Sequence, residues 1–377
     1  MKDAVPSITE FSSAAVFFCR YIMSFVRRIL LHVQPLLKAS QHRPASSVLC
    51  QSERSRPSAS ANQSEVSTVA TSWHAAPLTS RSCIEVNGKD AADFLQGLIT
   101  NDIHLLDGCT EGGPQCIYSM MLNHQGRVIY DLLVFSVVPN EYLLECDASL
   151  KDKLMKHLKL YKLRKDLTVS SSTQNVFSVY PDINDASFQT KAGNSEARFP
   201  DSGRMFRDPR LGLLGFRQLR ETANNENNSG GITTSDELSY RRFRLKLGVP
   251  EGSQELPPGE CFPMESNLDF MAGVNFDKGC YLGQELTART HHTGVIRKRL
   301  MPIQIEGIGE DKVDVIQRDT PIVNSSKKNV GKLRGHVGSS GVALMRVQEA
   351  LAAESLMCDF NGQRVDVKVQ RPSWWPT

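Results

Sequence analysis

The stretch Lys278-Gly279-Cys280-Tyr281-Leu282-Gly283-Gln284-Glu285 places one cysteine beside a lysine and between two glycines. A thiol near a fixed positive charge loses its proton more readily, and the thiolate is the form that binds metals or attacks disulfides. Glycine adopts backbone angles that other residues avoid, so Gly279 and Gly283 are expected to let the chain bend tightly around the sulfur. The alternative is a small buried side chain in a glycine-rich bend, because free cysteines are often buried.

The composition is that of an ordinary globular protein. A chain of 377 residues is long enough for two or three domains with a sizeable core. Its 40% hydrophobic and 23% charged residues are typical values. A formal net charge of +3 is too small to indicate a nucleic-acid partner, and no basic run interleaved with aromatic residues supports one.

The cysteine pattern indicates a reducing compartment. The nine cysteines are odd in number and scattered, and no two of them form a CxxC pair. This argues against a disulfide scaffold and against a zinc or cluster site built by this chain alone.

Residues 1–72 are interpreted as a transit peptide and leader that directs the chain to the mitochondrial matrix. Residues 1–63 contain three acidic residues against eight lysines and arginines, and Val16 to Val33 can form an amphipathic helix. A basic, acid-poor amphipathic leader is the signature of an organelle transit peptide. A membrane span and a disordered tail are the alternatives, but three arginines within the apolar stretch make spanning costly.

Residues 73–298 are predicted to form an α+β region with an antiparallel or mixed sheet, because predicted strands and helices are interleaved. The runs Cys116 to Leu122 and Val128 to Val138 are separated by Asn123-His124-Gln125-Gly126, a turn sequence that predicts a β-hairpin. After the next predicted strand, Ser149 is expected to open a helix with leucines at helical spacing.

Residues 299–377 are predicted to form a separate β-barrel, since short apolar runs alternate there with glycine-containing turns. The glycine-rich run Gly331 to Gly341 lacks the Lys-Ser/Thr ending of a phosphate-binding loop and is interpreted as barrel turns. The terminal Trp374-Trp375-Pro376 is expected to anchor the chain end between domains, with a ligand platform as the alternative.

Four further residues are candidates for a site. Glu265 lies among apolar neighbours, so it is either a structural anchor or a ligand contact. Downstream, Arg289 is a second candidate for a cleft. His291 and His292, in a segment taken as extended, are expected to point to opposite faces and not to share a metal.

The stretch Lys278 to Glu285, followed by Ala288-Arg289, resembles the signature of the YgfZ family of folate-binding-like proteins, which are relatives of the glycine-cleavage aminomethyltransferase. The residues from Pro257 to Leu300 are similar to the mitochondrial branch of that family. The likeness extends to Phe94 through Asp102, to Met121-Leu122-Asn123 and to the Trp-Trp-Pro tail, so it covers nearly all of the chain after the leader.

The resemblance implies an aminomethyltransferase (T-protein)-like fold, with two intertwined α+β lobes and a C-terminal β-barrel around a folate-type cleft. Cys280 would be the functional thiol and a metal ligand, in a turn shaped by Lys278, Gln284 and Glu285. Glu265 matches the position that contacts the pterin in the transferases, and Arg289 belongs to the same implied cleft.

For the mitochondrial branch, the resemblance implies a non-enzymatic factor in late maturation of [4Fe–4S] proteins. Its implied partners are A-type iron–sulfur carrier proteins and client [4Fe–4S] apoproteins, with a transient iron–sulfur cluster shared through Cys280. The alternative is a tetrahydrofolate-dependent one-carbon transferase. Against this alternative, the transferases carry two adjacent acids where this chain has Tyr130-Asp131. A third reading is a structural adaptor with a buried cysteine.

Overall fold

The computed structural model describes residues 72–107, 115–182, 204–221 and 232–376. All but the last residue of the predicted leader, residues 1–72, therefore lies outside the described residues. In the described ranges, no helix combines the length and the hydrophobicity that crossing a lipid bilayer requires.

The first of three sheets is mixed and has five strands in the order β10-β1-β7-β9-β8. Its strands are β1 (Trp73–Pro77), β7 (Asn175–Pro181), β8 (Arg204–Arg207), β9 (Phe216–Arg220) and β10 (Ile232–Thr234). Strand β10 runs parallel to β1, and the other pairs are antiparallel. The first strand of the described residues thus pairs with two strands that follow it by about 100 and about 160 residues.

The second sheet is antiparallel, with five strands in the order β3-β4-β5-β2-β6. Its strands are β2 (Arg81–Asn87), β3 (Cys116–Leu122), β4 (Val128–Val138), β5 (Glu141–Asp147) and β6 (Thr168–Ser171). The predicted hairpin is confirmed as β3 and β4, which pair from Cys116–Phe135 to Leu122–Val128. Because β1 belongs to one sheet and β2 to the other, the two lobes are intertwined.

Two helices cover one face of the second sheet and bury a core of their own. They are α1 (Ala91–Gln96) and α2 (Lys151–Lys162). Leu154 and Leu158 of α2 pack with Phe94 and Leu95 of α1 in this core. The predicted helix after Ser149 begins at Lys151, since Ala148–Leu150 forms a 3₁₀ turn whose amide at Ser149 donates to the Asp147 carboxylate.

The remaining helices connect the sheets to the barrel. They are α3 (Glu237–Leu247), α4 (Gly252–Glu255), α5 (Gln284–Thr293) and α6 (Val347–Leu351), and short 3₁₀ helices span Ile103–Leu106 and Gly212–Leu214. Tyr240, Phe243 and Leu245 of α3 pack in the core between the lobes. Helix α3 ends at Gly248, whose left-handed φ of 75° suits glycine.

The C-terminal barrel is closed by six strands in the order β11-β14-β13-β12-β15-β16. They are β11 (Lys298–Ile305), β12 (Pro321–Asn324), β13 (Asn329–Val337), β14 (Ser340–Arg346), β15 (Leu356–Phe360) and β16 (Gln363–Val369). The interpretation of Gly331 to Gly341 as barrel turns is wrong. Most of that run lies in β13 and β14, where Gly331 makes room for the Met345 side chain.

The C-terminal tryptophans lie where the barrel meets the lobes, as predicted. The Trp374 indole N–H donates to the carbonyl oxygen of Leu247, at the end of α3, over 2.8 Å. Trp375 is buried in the barrel core and its ring contacts Phe270 edge to face. The tail therefore fastens the barrel to the lobes that carry the candidate site.

Candidate functional site

The motif cysteine lies on an exposed loop. We call residues 275–283 the cysteine loop. Of the six cysteines in the described residues, Cys280 alone is exposed, and the other five are buried. The alternative reading of a buried, inert sulfur is therefore wrong for Cys280, and its thiol is open to solvent and to other molecules.

Lys278 fastens the cysteine loop to the lobe formed by the second sheet and its two helices. Its ammonium donates to three backbone carbonyl oxygens, of Gln96 (2.8 Å), Ile99 (2.7 Å) and Asn101 (2.7 Å). These carbonyls follow the end of α1, where helices leave such groups without internal partners. Burial lowers the pKa of Lys278 to about 8. The three N–H donors of the ammonium are thus used to hold the loop, a role that the motif alone did not indicate.

The two glycines of the motif are not equivalent. Gly283 has a left-handed φ of 81°, and a Cβ there would lie 2.3 Å from the carbonyl oxygen of Asn123. Glycine is therefore required at this position, as predicted. At Gly279 a Cβ would meet no atom within 4 Å, and φ is not left-handed. The expectation that Gly279 is needed for a tight bend is wrong, and the backbone beside Cys280 faces open space.

Three segments of the sequence meet at the cysteine loop. The carbonyls that bind Lys278 belong to the segment Phe94 through Asp102, and Gly97 of that segment also accepts the amide of Leu282 over 3.0 Å. The tip of the β3–β4 hairpin packs against Gly283 and the start of α5. The motifs that are separated by some 180 residues in the chain thus form one surface.

Tyr281 and Gln284 shape the end of the loop, whereas no contact of Glu285 in the described residues does so. The Gln284 side-chain oxygen accepts the amide of Tyr281 over 3.1 Å and closes the loop onto α5. The Tyr281 ring is buried, with the Lys278 ammonium 5.0 Å from its centre, and burial raises the pKa of Tyr281 to about 12. Tyr281 therefore stays protonated at neutral pH. Glu285 is exposed in the first turn of α5, where a negative charge is favourable.

Glu265 lines a cavity of about 350 Å³ on the other side of the hairpin tip. Apolar side chains of Phe262, Met264 and Leu286 form much of its wall. Burial raises the pKa of the Glu265 carboxyl, and within the described residues no hydrogen-bond donor reaches it. An anchor would have such a donor, so the contacts of Glu265 do not support the anchor reading, and its role as a ligand contact stays a prediction.

The residues after the motif are helical, so the prediction of an extended segment at His291 and His292 is wrong. Both belong to the last turn of α5 and are exposed. The His291 ring stacks on Phe276 of the cysteine loop with centres 3.6 Å apart. Arg289 is exposed on the same helix and does not line the cavity of Glu265, so the structure does not bring these two predicted residues together.

The space between the two sheets holds a central ion network that the sequence did not predict. We give this name to Arg81, Asp131, Glu145, Asp208, Arg210, Arg217 and Glu251. All of these side chains are 5% exposed or less. No short motif marks the network, because its members come from distant strands and loops.

Both ends of the network are tightly paired. Arg81 binds Glu145 over 2.8 Å and Asp131 over 3.0 Å, and Arg210 binds Glu251 over 2.7 Å. Burial alone would raise the pKa of Glu251, but Arg217, with Arg210 and Arg244, holds it well below its usual range. These charges act on one another, so the network ties the lobes together.

The pair Tyr130-Asp131 divides between two environments. Asp131 faces the central ion network, whereas Tyr130 lies on the opposite face of β4, as alternation along a strand requires. Tyr130 lines a second cavity, of about 410 Å³, together with His157, Tyr161 and Leu282. Of these two neighbouring residues, the acid therefore faces the interior and the tyrosine faces the cavity.

Comparisons with known proteins agree with this architecture. A model of the GCVT N-terminal domain matches residues 38–180, and a model of the CAF17 C-terminal β-barrel domain matches residues 297–377. The human protein named "Iron-sulfur cluster assembly factor IBA57, mitochondrial" is 37% identical over 322 residues, which cover 82% of this chain and 87% of the human protein. The chain belongs to the IBA57 family of iron–sulfur cluster assembly factors.

Other members of the IBA57 family give the same result. The mouse protein of that name is 38% identical and covers 81% of this chain and 86% of its own. A homologue from Dictyostelium discoideum is 34% identical over 67% of each chain. These relatives are named as mitochondrial assembly factors, which confirms the predicted mitochondrial localisation and gives the one-carbon transferase alternative no support, while placement in the matrix stays a prediction.

A search of solved structures confirms the predicted fold. The crystal structure of glycine cleavage system aminomethyltransferase T from Bartonella henselae matches with a TM-score of 0.62 and 13% identity, over 81% of this chain and 87% of that one. The transferase-like lobes and the six-stranded barrel are thus established for the described residues.

Proposed function

We propose that this chain is a mitochondrial iron–sulfur cluster assembly factor in which Cys280 supplies one ligand to a cluster held mainly by another protein. The observation that carries the proposal is the exposure of Cys280, when every other cysteine in the described ranges is buried. Membership of the IBA57 family supports the cluster chemistry.

The number of available ligands requires a second protein. Iron–sulfur clusters in ordinary sites are held by about four protein ligands, usually cysteines. In the described residues, no group of three or more histidine, cysteine or acidic side chains is placed to hold a metal ion. Cys280 therefore completes a site whose other ligands belong to a partner. We propose an A-type iron–sulfur carrier protein as this partner and [4Fe–4S] apoproteins as the clients.

The anchoring of the cysteine loop suits this role. The hydrogen bonds of the Lys278 ammonium and of the Leu282 amide fix both sides of Cys280 to the lobe of the second sheet. A thiol that is already held in position loses little conformational freedom when it binds the cluster. The open space at Gly279 leaves room for the partner to approach.

The direct test is anaerobic reconstitution of the full chain with an A-type carrier and a source of iron and sulfide. We expect a coloured complex of the two proteins, with the visible absorption of a cluster, that Cys280→Ser cannot form. Cys358→Ala, which removes a buried thiol from the barrel, is the control and should form the complex normally. A complex with full cluster content in Cys280→Ser would overturn the proposal.

The client proteins are tested in cells. Replacing the endogenous protein with Cys280→Ser should lower the activity of mitochondrial [4Fe–4S] enzymes while the amount of the variant protein stays normal. Enzymes with [2Fe–2S] clusters serve as the internal control. Equal activity of the [4Fe–4S] enzymes with the variant and the wild type would contradict the assignment of the clients.

A second proposal is that a folate-type ligand binds without turnover in the cavity of Glu265. A half-buried carboxyl with no hydrogen-bond donor in the described residues, in an apolar cavity of about 350 Å³, fits the ring N–H groups of a pterin. Calorimetry with tetrahydrofolate should show binding that Glu265→Gln weakens and Glu260→Gln, an exposed neighbour, does not. Equal affinity of the two variants for tetrahydrofolate would show that the pterin does not bind in this cavity.

A further inference from the structure

Helix α2 presents a basic surface that none of the chemistry above uses. Residues 151–166 contain seven lysines and arginines against two acids, Asp152 and Asp166. Leu154 and Leu158 of the helix face the core. We use the name lysine face for the exposed side of the helix and the turn after it, Lys153, Lys156, Lys159, Leu160, Leu163, Arg164 and Lys165.

Two leucines protrude from the lysine face. Leu160 is 72% exposed and Leu163 is 85% exposed, the latter the highest value among the large hydrophobic side chains of the described residues. Leu163 also has a left-handed φ of 49°, which costs free energy in any residue with a Cβ. Burial within the chain does not offset this cost at Leu163, and it does not cover Leu160 either. Contact with another molecule would explain why both leucines are exposed.

We propose that the lysine face docks on a lipid bilayer that carries anionic headgroups. The charge is complementary, since each lysine near an anionic bilayer attracts it. Apolar side chains among the lysines would enter the boundary between headgroups and acyl chains. Two features favour a bilayer over an acidic protein. The leucines protrude and do not line a groove, and six of the seven basic residues are lysines, which bind diffuse negative charge more readily than they recognise single carboxylates.

The acids near the lysine face do not cancel its charge. Asp166 is paired with Lys89, over 3.1 Å, and this lysine is itself 72% exposed. Asp90 accepts the amide of Asp166 over 2.7 Å and is a second acid at this end, whereas Asp152 lies in the first turn of α2, at the opposite end from the leucines. Lys159, Lys162, Arg164 and Lys165 outnumber these two acids, so the end of the helix that carries Leu160 and Leu163 keeps a net positive charge.

Docking would keep the cysteine loop close to the membrane. Lys153, His157 and Tyr161 of α2 line the same cavity of about 410 Å³ as Leu282 of the loop. A bilayer against the lysine face would therefore lie beside the cysteine loop. The proposal does not depend on cluster chemistry and stands or falls separately from it.

The test uses the full chain and vesicles of phosphatidylcholine with or without cardiolipin. Leu160→Trp places a fluorescent reporter on the lysine face, and the signal of the unsubstituted chain, with its three tryptophans, is subtracted. We expect a blue shift, and quenching by brominated acyl chains, only with cardiolipin present and lost at high salt. Because the reporter is local, binding through residues 1–71 does not mimic this result.

Two variants test the charge and the leucine. Lys156→Glu combined with Lys159→Glu should weaken vesicle binding by this surface about 30-fold or more, since each lysine contributes roughly fivefold. Lys312→Glu combined with Arg364→Glu makes the same change in net charge on the barrel and should leave the emission shift unchanged. Leu163→Gly removes the side chain and suits the left-handed φ, so weaker binding by about tenfold cannot be attributed to misfolding.

The outcomes separate the proposal from its rivals. An unshifted emission of Leu160→Trp with cardiolipin vesicles overturns it. A shift that an acidic protein produces and vesicles do not would assign the lysine face to a protein partner and also overturn it. An emission shift of equal size in the two charge-reversed double variants would mean that only the net charge of the protein matters. That result would contradict docking through the lysine face.

Discussion

The cysteine loop and the central ion network use charge in opposite ways. In the network, guanidinium groups face carboxylates and every member is buried, so the charges act on each other. In the loop, the ammonium of Lys278 donates its hydrogen bonds to backbone carbonyls, and Cys280 nearby is exposed. The charged residues in the interior of this transferase-like fold therefore hold the two lobes together, and the group that is available for chemistry, the Cys280 thiol, lies at the surface.

Breaking the network should produce the largest loss of stability. Arg217→Met leaves Glu145 and Glu251 with too few partners, and an uncompensated buried charge costs about 3–5 kcal/mol. Urea unfolding followed by circular dichroism measures the change. Arg220→Met, in the same strand but partly exposed, is the matched control and should change little. A loss at Arg217 no larger than that at Arg220 would mean that the network does not tie the lobes.

The next largest effect is expected where the loop meets the hairpin. Gly283→Ala introduces a Cβ at a left-handed φ and within 2.3 Å of a backbone oxygen, so we expect a loss of about 3 kcal/mol. Gly279→Ala changes the same loop by the same methyl group, has open space, and should be neutral. Thermal unfolding of both proteins distinguishes them. Equal melting temperatures would show that the hairpin gives way and that the loop is less constrained than its contacts indicate.

Removing the loop anchor should have a smaller effect on stability and a clear effect on the loop. Lys278→Met leaves three carbonyl oxygens without their donor, for which we expect a loss of about 2 kcal/mol. The amide of Leu282, which donates to Gly97, should then exchange its hydrogen faster. Hydrogen–deuterium exchange measures this, with the exposed Lys156→Met as control. Unchanged exchange at Leu282 would show that other contacts hold the loop.

The parts of this comparison that are local in sequence could be predicted, and the rest could not. The residue types of the turn Asn123 through Gly126 are enough to predict the hairpin, and the glycine at position 283 is enough to predict a left-handed backbone there. The carbonyls that bind Lys278 lie between 177 and 182 residues away along the chain. Such a pairing leaves no trace in local pattern, and the same holds for every ion pair between the two sheets.

The predictions that were wrong, an extended segment at His291 and turns at Gly331 to Gly341, have a similar cause. The segment around His291 has too few apolar residues for a helical period, yet its helix is held by packing of residues such as Leu286 against the hairpin tip. The glycines of β13 suggested turns because glycine favours them, whereas Gly331 lies in a strand to accommodate Met345. The fold as a whole was predictable from the family resemblance. The placement of Glu265 and Arg289 in separate environments was not.

The smallest change in stability is expected at the residue that matters most for the proposed function. Cys280 is exposed and packs in no core cluster, so Cys280→Ser should change the free energy of unfolding by less than about 0.5 kcal/mol. Cys146→Ser removes a thiol that is fully buried in the second sheet and puts a hydroxyl in its place, which should cost about 1–3 kcal/mol. Urea unfolding of the two variants under reducing conditions measures both values. If Cys280→Ser were as destabilising as Cys146→Ser, Cys280 would be part of the scaffold, and its exposure would no longer set it apart from the buried interior.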